Sequence, residues 1–212
     1  MTTTPFTVHT GRAMVLRRDD IDTDQIIPAE FCKRLTKHGY EDGLFAGWRG
    51  RPGFPLDQPH LRTATVLVAG SNFGTGSSRE HAVWALRDWG FKAVVAASFG
   101  DIFRRNALTN GLLPITLSKE DVTALSAAVE ADPELPITVD LVARELRTPT
   151  TCLGFDVDER ARHLLLNGLD DIGLTEQQEE QIARYELTRR PWFPALRPGC
   201  LSGSTTGGDR RG

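Results

Sequence analysis

The chain has 212 residues, with 25 Lys and Arg against 28 Asp and Glu and a formal net charge of −3. That length is enough for one domain with appendages and a core of its own, and the mildly acidic balance argues against a nucleic-acid-binding protein. No apolar run approaches the ~18 residues of a membrane span, and Met1 to Phe6 is threonine-rich without a basic n-region; a cytoplasmic protein with no membrane partner is expected.

In chain order, Ala13-Met14-Val15-Leu16 follows a short lead-in and reads as a strand. It runs into an acidic turn, Asp19 to Asp24, closed by Ile26-Ile27-Pro28. Residues 31–62 form a long connection rich in Gly, Pro and the aromatic residues Tyr40, Phe45, Trp48 and Phe54. Two readings compete for it: a hydrophobic lid or partner-covering loop, and a small satellite core. Thr65 to Ala69 and Ala93 to Ala97 are buried strands, separated by a helix from Glu80 to Trp89. Further helices are expected at 101–110, stopped by Gly111, and at 119–130, ended by Asp132-Pro133. Strands are expected at 114–117, 137–141, 145–147 and 153–157.

Glu159 to Asn167 is a helix with Gly168 as its stop, and Thr175 and Gln178 have the spacing of a capping box opening a last surface helix to about Arg189. Residues 195–212 are Gly, Ser, Thr and Arg with little to bury, and read as a disordered tail. The alternation of strands and helices makes this an α/β domain with part of its sheet parallel, followed by a second β-rich portion packed against it.

The strongest motif is Gly70 to Ala82, a strand-to-helix turn carrying Gly74, Gly76, Ser77, Ser78 and Arg79. Backbone N–H groups at such a turn, with two hydroxyls and a guanidinium, suit an anion. A structural reading competes: Ser77 and Glu80 have capping-box spacing, and Gly74 and Gly76 supply positive φ. It leaves Ser78 and Arg79 unexplained. A P-loop needs a lysine where this loop has Ser77, a dinucleotide fingerprint needs glycine where Arg79 stands, and a nucleophile elbow needs glycines flanking the serine. Cys32, Cys152 and Cys200 show no C-x-x-C spacing, and the five histidines show no i, i+4 pair, so no metal site is expected in this chain.

Gly74 to Ala82 resembles the signature of the swivelling domain of the aconitase superfamily. With Asp22-Thr23-Asp24-Gln25-Ile26-Ile27-Pro28, Gly43-Leu44-Phe45, Trp48, Ser98 to Phe103 and Asn167 to Thr175, the chain from His9 to Pro194 resembles the small-subunit family of 3-isopropylmalate dehydratases. Thr75 stands where many relatives carry cysteine, and the tail beyond Pro194 has no counterpart. The resemblance implies a swivelling β/β/α fold like the fourth domain of aconitase, with a mixed sheet and flanking helices over residues 1–194. It implies a hydro-lyase active only with a large subunit, no cofactor in this chain and a 4Fe–4S cluster in that partner.

The reaction implied is isomerisation of 2-isopropylmalate to 3-isopropylmalate through isopropylmaleate, in leucine biosynthesis, on a small dicarboxylate substrate. Carried over position by position, Ser77 matches the catalytic base, and Ser78 and Arg79 match groups that hold substrate carboxylate. Asp22, Thr23, Asp24, Asn72, Gly74, Gly76, Glu80 and His81 are expected as supporting residues. Arg79 alternatively pairs with Glu80 or Asp88, and His81 is alternatively a packed core histidine. Leu35, Tyr40, Leu44 and Phe45 are candidates for an apolar pocket around an isopropyl group. Rival readings are a small subunit for citramalate, citraconate or homoaconitate, and a non-catalytic anion- or nucleotide-binding module.

Overall fold

A computed structural model describes residues 4–169 and 171–189; the tail 195–212, with Cys200, lies outside them. Four apolar runs form a parallel sheet in chain order: β2 (Ala13–Leu16), β3 (Val66–Ala69), β4 (Ala93–Ala96) and β5 (Leu113–Thr116). Pro114 is tolerated in β5 because that strand is an edge and its missing N–H breaks no inner ladder. Consecutive residues point to opposite faces. Val66 and Val68 therefore enter one core, with Val95 and Ile115, while Leu67 and Ala69 enter the other, with Met14 and Val94.

The crossovers from β3 to β4 and from β4 to β5 run through α2 (His81–Trp89) and α3 (Asp101–Thr109), whose buried residues Leu86, Phe103 and Ala107 pack on the Leu67 side. The opposite face receives α4 (Lys119–Ala131), through Val122, Leu125 and Val129, and an antiparallel sheet. That second sheet has the order β1 (Val8–Gly11), β6 (Ile137–Asp140), β7 (Glu145–Arg147), β8 (Cys152–Gly154). Parallel and antiparallel pairing are thus both present, each in its own sheet. The chain passes from one sheet to the other at Gly11, where a Cβ would lie 2.0 Å from Thr65 Oγ1. A side chain at that crossing would have to displace Thr65 and His9.

The structure changes several expectations. β1 lies in the segment read as a lead-in: Val8-His9-Thr10-Gly11 is too polar to announce itself, and β6 supplies its ladder from far along the chain. The strand expected at 153–157 ends at Gly154. The long connection 31–62 holds two short 3-10 turns and the end of a third that begins at Ala29, and Tyr40, Leu44, Phe45, Trp48, Phe54 and Leu56 are buried in the main core beside the parallel sheet. This is core, and not a lid. Phe45 stacks on Trp48 with centroids 5.3 Å apart, and Phe54 meets both edge-on.

The chain divides into two compact units, residues 1–174 and 175–212. In the first, α5 (Glu159–Asn167) is capped by Asp158, which accepts from Ala161 N, and stops at left-handed Gly168. After it come α6 (Asp171–Glu176) and α7 (Glu179–Thr188), the latter with no buried residue. The capping box expected at Thr175 is not formed, because Thr175 lies inside α6 and Gln178 precedes α7 without a side-chain cap.

Candidate active site

The C-terminal ends of β2, β3 and β4 meet at one edge of the parallel sheet, the end where open α/β sheets place their sites. There the chain leaving β2 and the chain leaving β3 are stitched together by backbone bonds. Gly74 N donates to Ile21 O at 2.7 Å and Thr23 N to Thr75 O at 3.0 Å. The chain leaving β4 joins through Phe73 N to Ser98 O at 3.0 Å and Gly100 N to Phe73 O at 2.9 Å. The turn needs glycine at 74: its φ is +73°, and a Cβ would lie 2.2 Å from the Phe103 ring. Asn72 also holds positive φ, with its side-chain amide donating to Asp20 Oδ1 and its N–H to Ser98 Oγ, both at 2.8 Å.

On this frame Gly76, Ser77 and Ser78 are exposed. Ser77 Oγ lies 3.0 Å from Thr23 Oγ1, and Thr23 is almost wholly buried. The Thr23 hydroxyl is also 3.3 Å from the Ser77 carbonyl oxygen. It has one proton for two acceptors, so it donates either to that carbonyl or to Ser77 Oγ. Arg79 is mostly buried, its side chain 17% exposed, and Nη1 donates to Asp24 Oδ1 at 2.6 Å and to the Ile27 carbonyl at 3.0 Å. Its Nε and Nη2 make no hydrogen bond among the described residues, so the two-pronged edge of the guanidinium remains available. Asp24 is largely exposed, and such a pair is weak enough to be rearranged by a competing carboxylate.

The structure therefore brings Asp22, Thr23, Asp24, Asn72, Gly74 and Gly76 to the serine loop. Asp22 accepts from Gln25 N at 2.7 Å and caps α1 (Thr23–Ile26), the short turn that presents Thr23 and Asp24. Glu80 and His81 engage other partners. Glu80 accepts from Asn110 Nδ2 at 2.8 Å and makes no bond to Ser77, so the capping box expected there is absent; α2 begins only at His81, too late for Ser77 to cap it. The His81 ring lies against Tyr40 and Trp84, at 5.3 and 4.7 Å between centroids. Burial, then the charge of Arg79, lowers its pKa from the ordinary 6.5. Asp88 pairs with Arg87 and not with Arg79.

Tyr40, Leu44 and Phe45 are wholly buried and touch no solvent, so of the four apolar candidates Leu35 alone is exposed. Ile27 O, Ser98 and Asn110 are partners that the sequence does not announce, since each is a backbone atom or a polar side chain distant in the chain. Cys32 sits close enough to feel both Arg79 and Asp24, but burial raises its pKa and the thiol stays protonated. Among the described residues no group of three or more His, Cys, Asp or Glu is placed to hold a metal. A cavity of about 700 Å³ is lined by His9, Glu80, Lys92 and Asn110, and Ser77 does not line it. The serine loop is an open surface.

A family model described as the aconitase C-terminal domain matches residues 3–120 and one described as LeuD_N matches 123–159. A third, for the C-terminal domain of the 3-isopropylmalate dehydratase small subunit, matches 171–198. The 3-isopropylmalate dehydratase small subunit of Frankia casuarinae is 58% identical over 89% of this chain and 97% of its own length. That of Streptomyces coelicolor is 57% identical over 89% and 96%. A crystal structure of 3-isopropylmalate dehydratase (leuD) from Methanocaldococcus jannaschii superposes with a TM-score of 0.64 at 30% identity, covering 84% of this chain and 99% of that one. The fold, the turn chemistry and these matches along nearly the whole of the relatives lead to one assignment: the chain belongs to the 3-isopropylmalate dehydratase small-subunit family.

Proposed function

We propose that this chain supplies the proton-transfer and carboxylate-binding half of a hydro-lyase site, with a large subunit providing the other half. The observation that carries the reading is Arg79: a guanidinium fixed through Nη1, with Nε and Nη2 left to grip a carboxylate in two parallel bonds. Ser78 adds a hydroxyl beside it. Ser77 Oγ takes the proton on the carbon next to that carboxylate, the C–H electron pair becomes the new double bond, and hydroxide leaves the neighbouring carbon and takes up a proton from solvent to become water, Ser77 returning its own proton to solvent when the site resets. Rehydration of isopropylmaleate in the other sense turns 2-isopropylmalate into 3-isopropylmalate, a step of leucine biosynthesis.

A serine hydroxyl titrates above the ~10 of a phenol, so it needs help to act as base. The dipole of α2 offers little, since that helix starts four residues beyond Ser77 and the effect fades within one turn. Thr23 offers more: its proton, moved from the Ser77 carbonyl to Ser77 Oγ, stabilises a developing alkoxide. Exclusion of water by the large subunit strengthens both this bond and the pull of Arg79. The cluster is assigned to that subunit, where it would supply a Lewis acid for the departing hydroxyl. Leu35 is the candidate contact for the isopropyl group. The substrate is a small dicarboxylate and the setting cytoplasmic, with neither nucleic acid nor membrane involved.

The test is anaerobic reconstitution with the large subunit. Arg79→Lys keeps the charge and loses the planar fork, and a fall in kcat/KM of at least about tenfold is expected, the worth of one charge-assisted bond. An unchanged value would remove Arg79 from the site.

A further inference from the structure

Helix α2 joins two loops. Its start follows directly on Arg79 and Glu80, and its last turn carries Arg87 and Asp88. Asp88 is a nearly buried carboxylate, its side chain 8% exposed, and both oxygens are occupied. Oδ2 accepts from Gly39 N at 2.8 Å and Tyr40 N at 3.2 Å, while Oδ1 accepts from Arg87 Nη2 at 3.0 Å and Nε at 3.2 Å. Arg87 Nη2, with two protons for three neighbours, also donates to the Lys37 carbonyl at 2.6 Å and lies 3.0 Å from His38 Nδ1.

Tyr40, wholly buried, lays its ring on His81 and Trp84, and its hydroxyl proton is shared between the carbonyls of Thr36 at 2.6 Å and Arg34 at 3.2 Å. His81, Trp84 and Asp88 are spaced i, i+3, i+7, one face of the helix, so this face docks the whole segment. Arg34 closes it from the other side with two bonds to Asp42, at 2.7 and 2.6 Å, and one to the Gly39 carbonyl. Fully exposed at the edge of this braced loop is Leu35.

We infer that Asp88 is a positioning residue for substrate selection: by clamping Gly39 and Tyr40 to α2, it fixes the Leu35 loop at a set distance from Arg79. The helix is the spacer, about 10 Å from His81 to Asp88 at 1.5 Å per residue. The inference rests on the reading above, in which Arg79 holds a carboxylate and Leu35 meets the alkyl group. Replacing Asp88 with Asn turns an NH2 toward groups that are all donors, so one or more of the four bonds is lost and a buried donor is left unpaired.

The experiment compares wild type, Asp88→Asn, Tyr40→Phe and Arg79→Lys, each assembled with the large subunit. Two readouts are taken: kcat and KM for 2-isopropylmalate and for 2-methylmalate, the same diacid with a methyl group, and hydrogen exchange at the Gly39 and Tyr40 amides. Asp88→Asn is expected to speed exchange, raise KM for the isopropyl diacid about tenfold with kcat nearly unchanged, and shrink its preference over the methyl diacid by a similar factor. Tyr40→Phe, which keeps the ring and loses the hydroxyl, moves the same quantities less, and decides the matter alone if Asp88→Asn does not assemble. Faster exchange with wild-type KM and preference overturns the inference, as does a fall in kcat with KM and preference unchanged. If Arg79→Lys also leaves both diacids untouched, the carboxylate-clamp reading has failed first.

Discussion

Two glycine-rich connections leave the same parallel sheet, and they do opposite things. The segment 31–62 joins β2 to β3 without a long helix, yet Tyr40, Leu44 and Phe45 on it are wholly buried. Its aromatic side chains cover a sheet face as a crossover helix would, and its backbone polar groups are met locally, as in Trp48 N to Phe45 O and Phe54 N to Arg51 O. The segment 70–80 follows β3 and keeps Gly76, Ser77 and Ser78 at the surface, with positive φ at Asn72, Gly74 and Gly76. Exposed polar atoms on a backbone fixed by neighbouring strands make a site; buried rings on a winding backbone make a core. The aromatic loop advertises itself more loudly in the sequence, but in the mechanism proposed above the quiet one carries the proton transfer and the aromatic one contributes Leu35 alone.

Substitutions in the two loops should separate stability from activity. The largest effect is expected for Ser77→Ala: a loss of about 10²–10⁴ in kcat in the assembled enzyme, as for removal of a general base, with no change in Tm. Steady-state rates and a thermal melt on the same sample check both halves. Phe45→Ala reverses the pattern, destabilising the fold by about 3–5 kcal/mol through the cavity it leaves, measured by urea unfolding of the isolated chain. A loss of activity without loss of stability there would return that residue to the site.

Gly74→Ala sharpens the comparison because it strikes the frame of the serine loop: with φ at +73° and Phe103 in the way, stability and activity should fall together. Thr23→Val keeps the shape and removes the hydroxyl beside Ser77, so kcat should drop by about tenfold, the worth of one hydrogen bond to a charged group, with KM little changed. The smallest effect concerns pH. Burial holds His9 and His81 below their ordinary 6.5, so the unfolded chain binds protons that the folded chain refuses. Their contribution to stability is therefore complete above about 6.5 and is lost progressively as the pH falls below it. His9→Gln should flatten the dependence of urea stability on pH between about 7 and 5; an unchanged profile would show that this ring does not titrate differently on folding.

Much of this architecture was readable from apolar runs. The strands at Ala13, Thr65 and Ala93 stand out as short continuous apolar runs, and the helices of 81–89, 101–109 and 159–167 as apolar residues at helical spacing bounded by Gly or a cap. What stayed hidden was non-local. β1 exists because β6 offers it a ladder, not because Val8-His9-Thr10-Gly11 favours a strand. The Ser77–Glu80 spacing suggested a capping box, but Asn110, from the end of α3, takes Glu80, and Thr23 takes Ser77. At the site, residue types and the turn were legible, including the acidic partner segment 22–24. The Ile27 carbonyl that steers Arg79 was not, because every residue has a carbonyl and only the fold selects one.

In the mechanism proposed above, the serine loop is half of a site. The direct measurement is anaerobic formation of isopropylmaleate, followed by the absorbance of its double bond, with this chain alone, with chain and large subunit together, and with the Ser77→Ala chain and large subunit. Activity is predicted only in the wild-type pair. Turnover by the isolated chain, or wild-type rates from the Ser77→Ala pair, would contradict it.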